Sequence, residues 1–234
     1  MTLPLSSPGR TSRSAFWLPS LLLGVTLATW VVGCDNEARP SATPISQARA
    51  GATGSSVTVE GAVSVAPGTF VSALGDEGFS LQDDSGGIYV KITQKLDFGL
   101  GARVRVTGTL DEQNKLRILK AEPANVQTLQ GTPQLVQPVT VRTGEVNESR
   151  EGQLVQVTGN VTQTFQDDSP YGYKLYVNDG SGEVQIFVHV SAGLDKASLQ
   201  ALTAGQRITV VGLAAQYETT YEVAPRQPSD LTVN

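Results

Sequence analysis

The sequence predicts an all-β protein built as two tandem five-stranded barrels, each with a short helix or turn between its third and fourth strands. Three observations predict it. Two stretches about a hundred residues apart, LQDDSGGIYVKI at 81–92 and VNDGSGEVQIFV at 177–188, repeat one pattern, an acidic glycine turn between alternating apolar runs. Alternation of apolar and polar residues with period two recurs ten times between residues 57 and 224, the periodicity of half-buried strands. With 24 glycines and 12 prolines in 234 residues, 39% hydrophobic and 17% charged, the chain is turn-rich and long enough for two small domains.

The N-terminus reads as an address. Arg10 and Arg13 precede the uncharged apolar run AFWLPSLLLGVTLATWVVG at 15–33, the layout of a secretory signal. Its end, Val31-Val32-Gly33-Cys34, resembles the bacterial lipobox, which implies lipid on the Cys34 thiol and cleavage just before it. An uncleaved membrane anchor is the competing reading, because nineteen apolar residues nearly span a bilayer. Cys34 is the only cysteine, which favours the lipoprotein and removes disulfides and cysteine-based metal clusters. The expectation is a signal peptide at 1–33 and a membrane-held protein facing the periplasm or exterior. Residues 34–56, with almost no large apolar residue and no periodicity, are expected to form a disordered tether.

The first barrel is expected over 57–120, with strands VTVEGAV (57–63), FSLQ (79–82), IYVKI (88–92), RVRVTGTL (103–110) and KLRIL (115–119). A weak break, TQKLDFGLG at 93–101, separates the third from the fourth. Residues 121–149, rich in Pro, Gln and Thr, form a linker whose tail from Thr143 is expected to make a helical turn that plugs the second barrel. That barrel covers 150–234: QLVQVTGNV (153–161), YKLYVN (173–178), EVQIFVHV (183–190), RITVVGL (207–213) and TYEVA (220–224). Here the break is fuller. In SAGLDKASLQALTAG (191–205) the apolar residues fall near helical spacing and Gly205 is a natural C-cap.

Five strands with a helix between the third and fourth is the order of the OB-fold, a partly open Greek-key barrel. The segments Asp83-Asp84-Ser85-Gly86-Gly87 and Asn178-Asp179-Gly180-Ser181-Gly182 resemble the strand two to three hairpin of the OB family related to the anticodon-binding and helicase-associated domains. Asp and Gly there supply the backbone freedom a tight hairpin needs. A calcium loop is the alternative, but the twelve-residue ligand pattern with its distal glutamate is missing. The resemblance implies nucleic-acid binding.

Residue chemistry argues against an enzyme. His189 is the only histidine, Gly-x-Ser-x-Gly is absent, and no phosphate-cradling loop or dinucleotide fingerprint occurs. The paired acids Asp83/Asp84 and Asp167/Asp168 fall in expected turns, where carboxylates serve solvation and local hydrogen bonds. No metal or cofactor is expected.

A binding face follows from alternation. If Val184, Ile186 and Val188 point into the second barrel, then Gln185, Phe187 and His189 point out, sharing that side with Lys174, Tyr176 and Asn178 of the preceding strand. Exposed Tyr176 and Phe187 there would form a stacking platform, extended by Tyr171, Tyr173, Tyr217 and Tyr221. Packing of Phe187 against the other barrel or the linker is the equal alternative. In the first barrel the matching residues are Tyr89 and Lys91. Arg103 and Arg105 project together from strand four, with Lys115, Arg117 and Lys120 near strand five, so either a basic patch or solvated faces of mixed sign results.

Formal charge is −5, and without the first 33 residues, which hold no acid, 15 basic residues face 22 acidic ones, leaving −7. That balance is poor for phosphate binding, which draws its affinity from Lys and Arg. The expectation is therefore a lipid-anchored, extracytoplasmic, non-catalytic binding protein. Its ligand is single-stranded nucleic acid on one reading. On the other it is a protein or glycan adaptor in a cell-envelope complex, without nucleic acid.

Overall fold

The computed structural model describes residues 41–234, all within one compact unit. The expected signal, the lipid site at Cys34 and the first part of the expected tether lie outside the described residues.

Period-two patterning produces strands where it was expected. In the first barrel these are β1 (Ser56–Val65), β2 (Phe79–Gln82), β3 (Gly87–Lys91), β4 (Arg103–Gln113) and β5 (Leu116–Lys120). They neighbour one another in the order β1-β2-β3-β5-β4, and β4 closes onto β1 with Arg103 opposite Ala62 and Thr109 opposite Ser56. The third and fifth strands run parallel, Tyr89 beside Ile118. Two short strands come from the segment between barrels: β6 (Val126–Thr128) pairs with β4, and β7 (Val139–Thr140) with the next strand. The second barrel comprises β8 (Leu154–Asp168), β9 (Gly172–Asn178), β10 (Glu183–His189), β11 (Arg207–Tyr217) and β12 (Thr220–Ala224), with β13 (Leu231–Val233) added on β11. Its order is β8-β9-β10-β12-β11, closed by β11 on β8, and β10 runs parallel to β12. This closed order with a parallel third and fifth strand is the OB-fold topology, made twice.

Each barrel buries its own core. Val59, Phe79, Leu81, Ile88, Val90 and Val106 fill the first, and Val157, Leu175, Val177, Ile186, Val188 and Val210 the second. Among the described residues three α-helices accompany them: α1 (Ile45–Arg49) ahead of β1, α2 (Val71–Leu74) between β1 and β2, and α3 (Lys196–Gln200) between β10 and β11. The last is the expected helix, capped at its N-terminus by the Asp195 carboxylate, which accepts from the Ser198 amide at 2.9 Å. The first barrel has only a turn in the equivalent place.

Helix α1 corrects the expected tether. Ile45 is its one large apolar residue, and it sits with Ala48 fully inside the first core. The repeated acidic turn holds it there. Asp83 accepts from the Ile45 amide at 2.9 Å and Ser85 Oγ from the Ser46 amide at 3.0 Å. The second repeat holds its own segment in the same way, with Asp179 accepting from Thr143 Oγ1 at 2.8 Å and Ser181 Oγ from the Gly144 amide at 2.9 Å. These bonds fix the 3-10 turn Thr143–Glu145, beside which Val141 and Val146 enter the second core. The duplicated Asp-x-Ser-Gly is thus a clamp that seats a preceding segment against each barrel. Within each hairpin the same aspartate also accepts from the Ser amide two residues on, at 2.8 Å and 2.9 Å.

The barrels are locked together. Val65, Phe70, Tyr89, Leu116 and Ile118 of the first pack with Leu213, Ala215 and Ala224 of the second. Gly87 and Gly152 meet backbone to backbone, so closely that a Cβ on Gly87 would lie 1.9 Å from the Gly152 carbonyl oxygen. Arg226, paired with Asp230 at 2.7 Å, donates to the Ser64 carbonyl at 2.8 Å. The buried Glu151 carboxylate accepts from Arg49 Nη2 and from the Arg117 amide, both at 2.9 Å.

Candidate ligand cleft

The alternation on β10 resolves as expected: Val184, Ile186 and Val188 point into the second core, while Gln185, Phe187 and His189 line the opposite face. On β9, Leu175 and Val177 point in, and Lys174 and Tyr176 join the outer group. This face opens on a cleft of about 650 Å³ whose far wall belongs to the first barrel, with Phe70, Leu74, Gln113 and Leu116. Tyr171 and Tyr217 stand at its rim, 54% and 57% exposed. Tyr171 lies in the first-second strand loop of the second barrel and Tyr217 ends β11 at the fourth-fifth hairpin, the two connections that flank an OB-fold ligand face.

A chain of polar side chains crosses the floor. Tyr176 Oη donates to Gln185 Oε1 at 2.8 Å, and Gln185 Nε2 donates to Glu222 Oε2 at 2.8 Å. The parallel pairing of β10 with β12 sets Gln185 directly beside Glu222. Burial pushes the Glu222 carboxyl up to about 7, so near neutrality this acid is half protonated. Lys174 Nζ pairs with Asp168 at 2.9 Å and lies 5.9 Å over the Phe187 ring. At one end His189 stacks on Phe70 with ring centroids 4.3 Å apart and meets the edge of Phe187 at 4.9 Å. Burial pulls its imidazole down to about 3, so the ring is neutral, and its Nδ1 has no hydrogen-bond partner among the described residues.

Four expected site residues, Lys174, Tyr176, Phe187 and His189, therefore meet in one cleft, but two are not exposed. Phe187 and His189 are buried at 7% and 4%, because Phe70 of the first barrel covers the end of β10 where they sit. Phe187 packs on its own barrel, against His189 and beneath Lys174. Tyr89 is a plain correction: it is 1% exposed, packed between the barrels, and donates to Asp76 at 2.7 Å. Lys91 sits beside it, 3.7 Å from Asp76 and hydrogen-bonded to Gln113. Arg105 and Arg103 both turn to Glu60, which the β1–β4 register places directly opposite Arg105. None of Tyr89, Lys91, Arg103 and Arg105 lines the cleft. Nearby, Lys115 pairs with Glu112 and Lys120 with Asp111, each at 3.3 Å, so the mixed-sign reading of these faces holds and a free basic patch does not.

Sequence reasoning missed Phe70, Asp168 and Glu222 as site residues. Glu222 had a signal: in TYEVA it occupies an outward register, and the parallel third-fifth pairing of an OB-fold brings that register beside Gln185. Phe70 had none, since only the docking of the barrels carries it to His189. Among the described residues no group of three His, Cys, Asp or Glu side chains is placed to hold a metal ion, and no helix is long and apolar enough to cross a membrane.

No family model matches the chain, and no curated protein matches it. Solved structures resemble it loosely. They include an OBody bound to hen egg-white lysozyme, 16% identical over 40% of this chain and 92% of that one with a TM-score of 0.33. A HINb domain is 13% identical over 78% and 98%, with a TM-score of 0.36. A murine DNA-binding protein bound to double-stranded DNA is 12% identical over 70% and 90%, with a TM-score of 0.39. The fold assignment rests on strand order and register rather than on these likenesses.

Proposed function

We propose that the protein is a non-catalytic binding protein of the cell envelope, anchored by lipid at Cys34, whose ligand lies in the cleft between the barrels. The observation that carries this reading is the juxtaposition of rim tyrosines Tyr171 and Tyr217 with the floor network Tyr176–Gln185–Glu222. Aromatic faces beside planar polar groups suit a ligand made of rings that carry hydroxyl or amide groups. OB-folds use this face for oligosaccharides and oligonucleotides alike, and charge separates the two. Among the described residues the only cation lining the cleft, Lys174, is spent on Asp168. A nucleic acid needs unpaired cations for its phosphates, whereas a neutral saccharide needs none. The geometry therefore favours a glycan. A nucleic-acid reading survives on one observation, the two exposed tyrosines, which could stack unpaired bases worth roughly 1–3 kcal/mol each.

Titration of the full chain in detergent with neutral oligosaccharides, and with a labelled single-stranded oligonucleotide at roughly 20 mM salt where phosphate contacts are strongest, tests this. Saccharide binding that Tyr217→Ala weakens about tenfold, a loss of about 1.4 kcal/mol, is the expected outcome. Retardation of the oligonucleotide that fades as salt rises, with no saccharide binding, would replace the glycan with nucleic acid. For the anchor, labelled palmitate should enter the wild-type chain and not Cys34→Ala.

A further inference from the structure

We infer that the cleft is one end of a continuous groove that takes an extended, uncharged oligosaccharide, with a second subsite between the 143–145 turn and the β11–β12 hairpin. This rests on the reading of the cleft as a ring-binding site.

A second cavity of about 300 Å³ adjoins the cleft, lined by Thr143, Gly144, Glu183, Val184, Thr219 and Tyr221. It shares three residues with the cleft, Tyr176, Gln185 and Thr220, so the two spaces meet over one stretch of floor. Tyr176 and Gln185 are directly opposite on β9 and β10 and hydrogen-bonded to each other, which makes them a fixed saddle at the junction. From His189 at one end to Glu183 at the other the groove follows β10 for six residue steps, roughly 20 Å at strand rise. A single sugar ring would leave most of that length empty.

The far wall is preformed. The Asp179–Ser181 clamp holds Thr143 and Gly144 in place, so the second cavity does not depend on a ligand to shape it. Its charge excludes polyanions: among the described residues no lysine or arginine lines it, and Glu183 is its one carboxylate. That carboxylate accepts from Thr162 Oγ1 at 2.5 Å and Gln163 Nε2 at 2.8 Å and keeps its charge, which repels a polyanion and tolerates a neutral chain. A chain entering between the rim tyrosines would lay rings over Tyr176 and leave past Thr219.

The experiment is calorimetric titration of the full chain with linear chito- and gluco-oligosaccharides, from monosaccharide to hexasaccharide. Affinity is expected to rise about tenfold or more between the disaccharide and the tetrasaccharide. Thr219→Trp, which fills the second cavity from an exposed hairpin position, should abolish that gain and leave disaccharide affinity unchanged. Thr219→Arg provides the same block should the first variant fold poorly. Binding with no length dependence, or a length gain that survives both variants, overturns the second subsite and leaves the cleft reading standing. Absence of binding at every length overturns both. Tighter binding of an oligonucleotide than of any saccharide overturns the ligand class.

Discussion

Glu222 is a carboxyl almost wholly buried in the floor of the cleft, and its pH response follows from that. Burial raises its pKa from 4.5 to about 7, so across that window the folded chain holds a proton that the unfolded chain has released. Its contribution lowers stability as pH rises from 4.5, and the whole penalty is present above 7. Glu222→Gln keeps an oxygen that accepts from Gln185 and removes the charge. The variant should gain up to roughly 3 kcal/mol over wild type at pH 8 and little at pH 4, measured by urea unfolding at each pH. His189 acts in the opposite sense. Burial lowers its pKa from 6.5 to about 3, so the unfolded chain takes up the proton first and stability falls as pH drops through that range. His189→Phe should flatten the acid limb of the same profile. Neither shift was legible in the sequence, because Glu222 and His189 are deeply buried only after the two barrels meet.

At the scale of elements, the strands were legible and the clamps were half legible. Period-two alternation located ten strands, since burying one face of a sheet imposes that rhythm whatever the fold. The repeated Asp-Ser-Gly turn was visible as a hairpin, but its role as a clamp was not. The segment it seats carries a single large apolar residue, Ile45, too little to register as an element by periodicity. Ile45→Ala should cost about 2–4 kcal/mol, because the residue is fully buried in the first core and its neighbours cannot close the space. Asp83→Ala should release the amide of Ile45 and cost about 1 kcal/mol, the worth of a capping bond. Thermal unfolding of both variants checks the order of these losses. The basic patch illustrates the converse failure. Counting cations by strand face gave Arg103 and Arg105 a common direction, while strand pairing put Glu60 opposite Arg105 and within reach of Arg103.

For the whole molecule, the contact between barrels decides what each can do. Gly87→Ala would drive a methyl carbon into the Gly152 carbonyl, a backbone atom that cannot swing aside. The barrels must then part locally, and the variant should lose the apolar packing of Tyr89, Ile118 and Leu213 along with the cleft between them. Calorimetry is expected to give one transition for the wild type and a split or a shift down by several degrees for the variant. No pattern in the chain announces this docking: the residues that meet are spread from Val65 to Ala224, and each looks like an ordinary core residue of its own repeat.

Tyr89 on β3 of the first barrel corresponds to a strand-three position of the second, yet it is buried against the partner barrel while the second barrel keeps its face open to the cleft. A duplicated fold would ordinarily promise two equivalent sites and a gain in avidity from engaging both. Here one copy has been turned into scaffold, so saturation should come at one ligand per chain, and any multivalent grip on a polymer must arise from several chains gathered on the same strand of ligand.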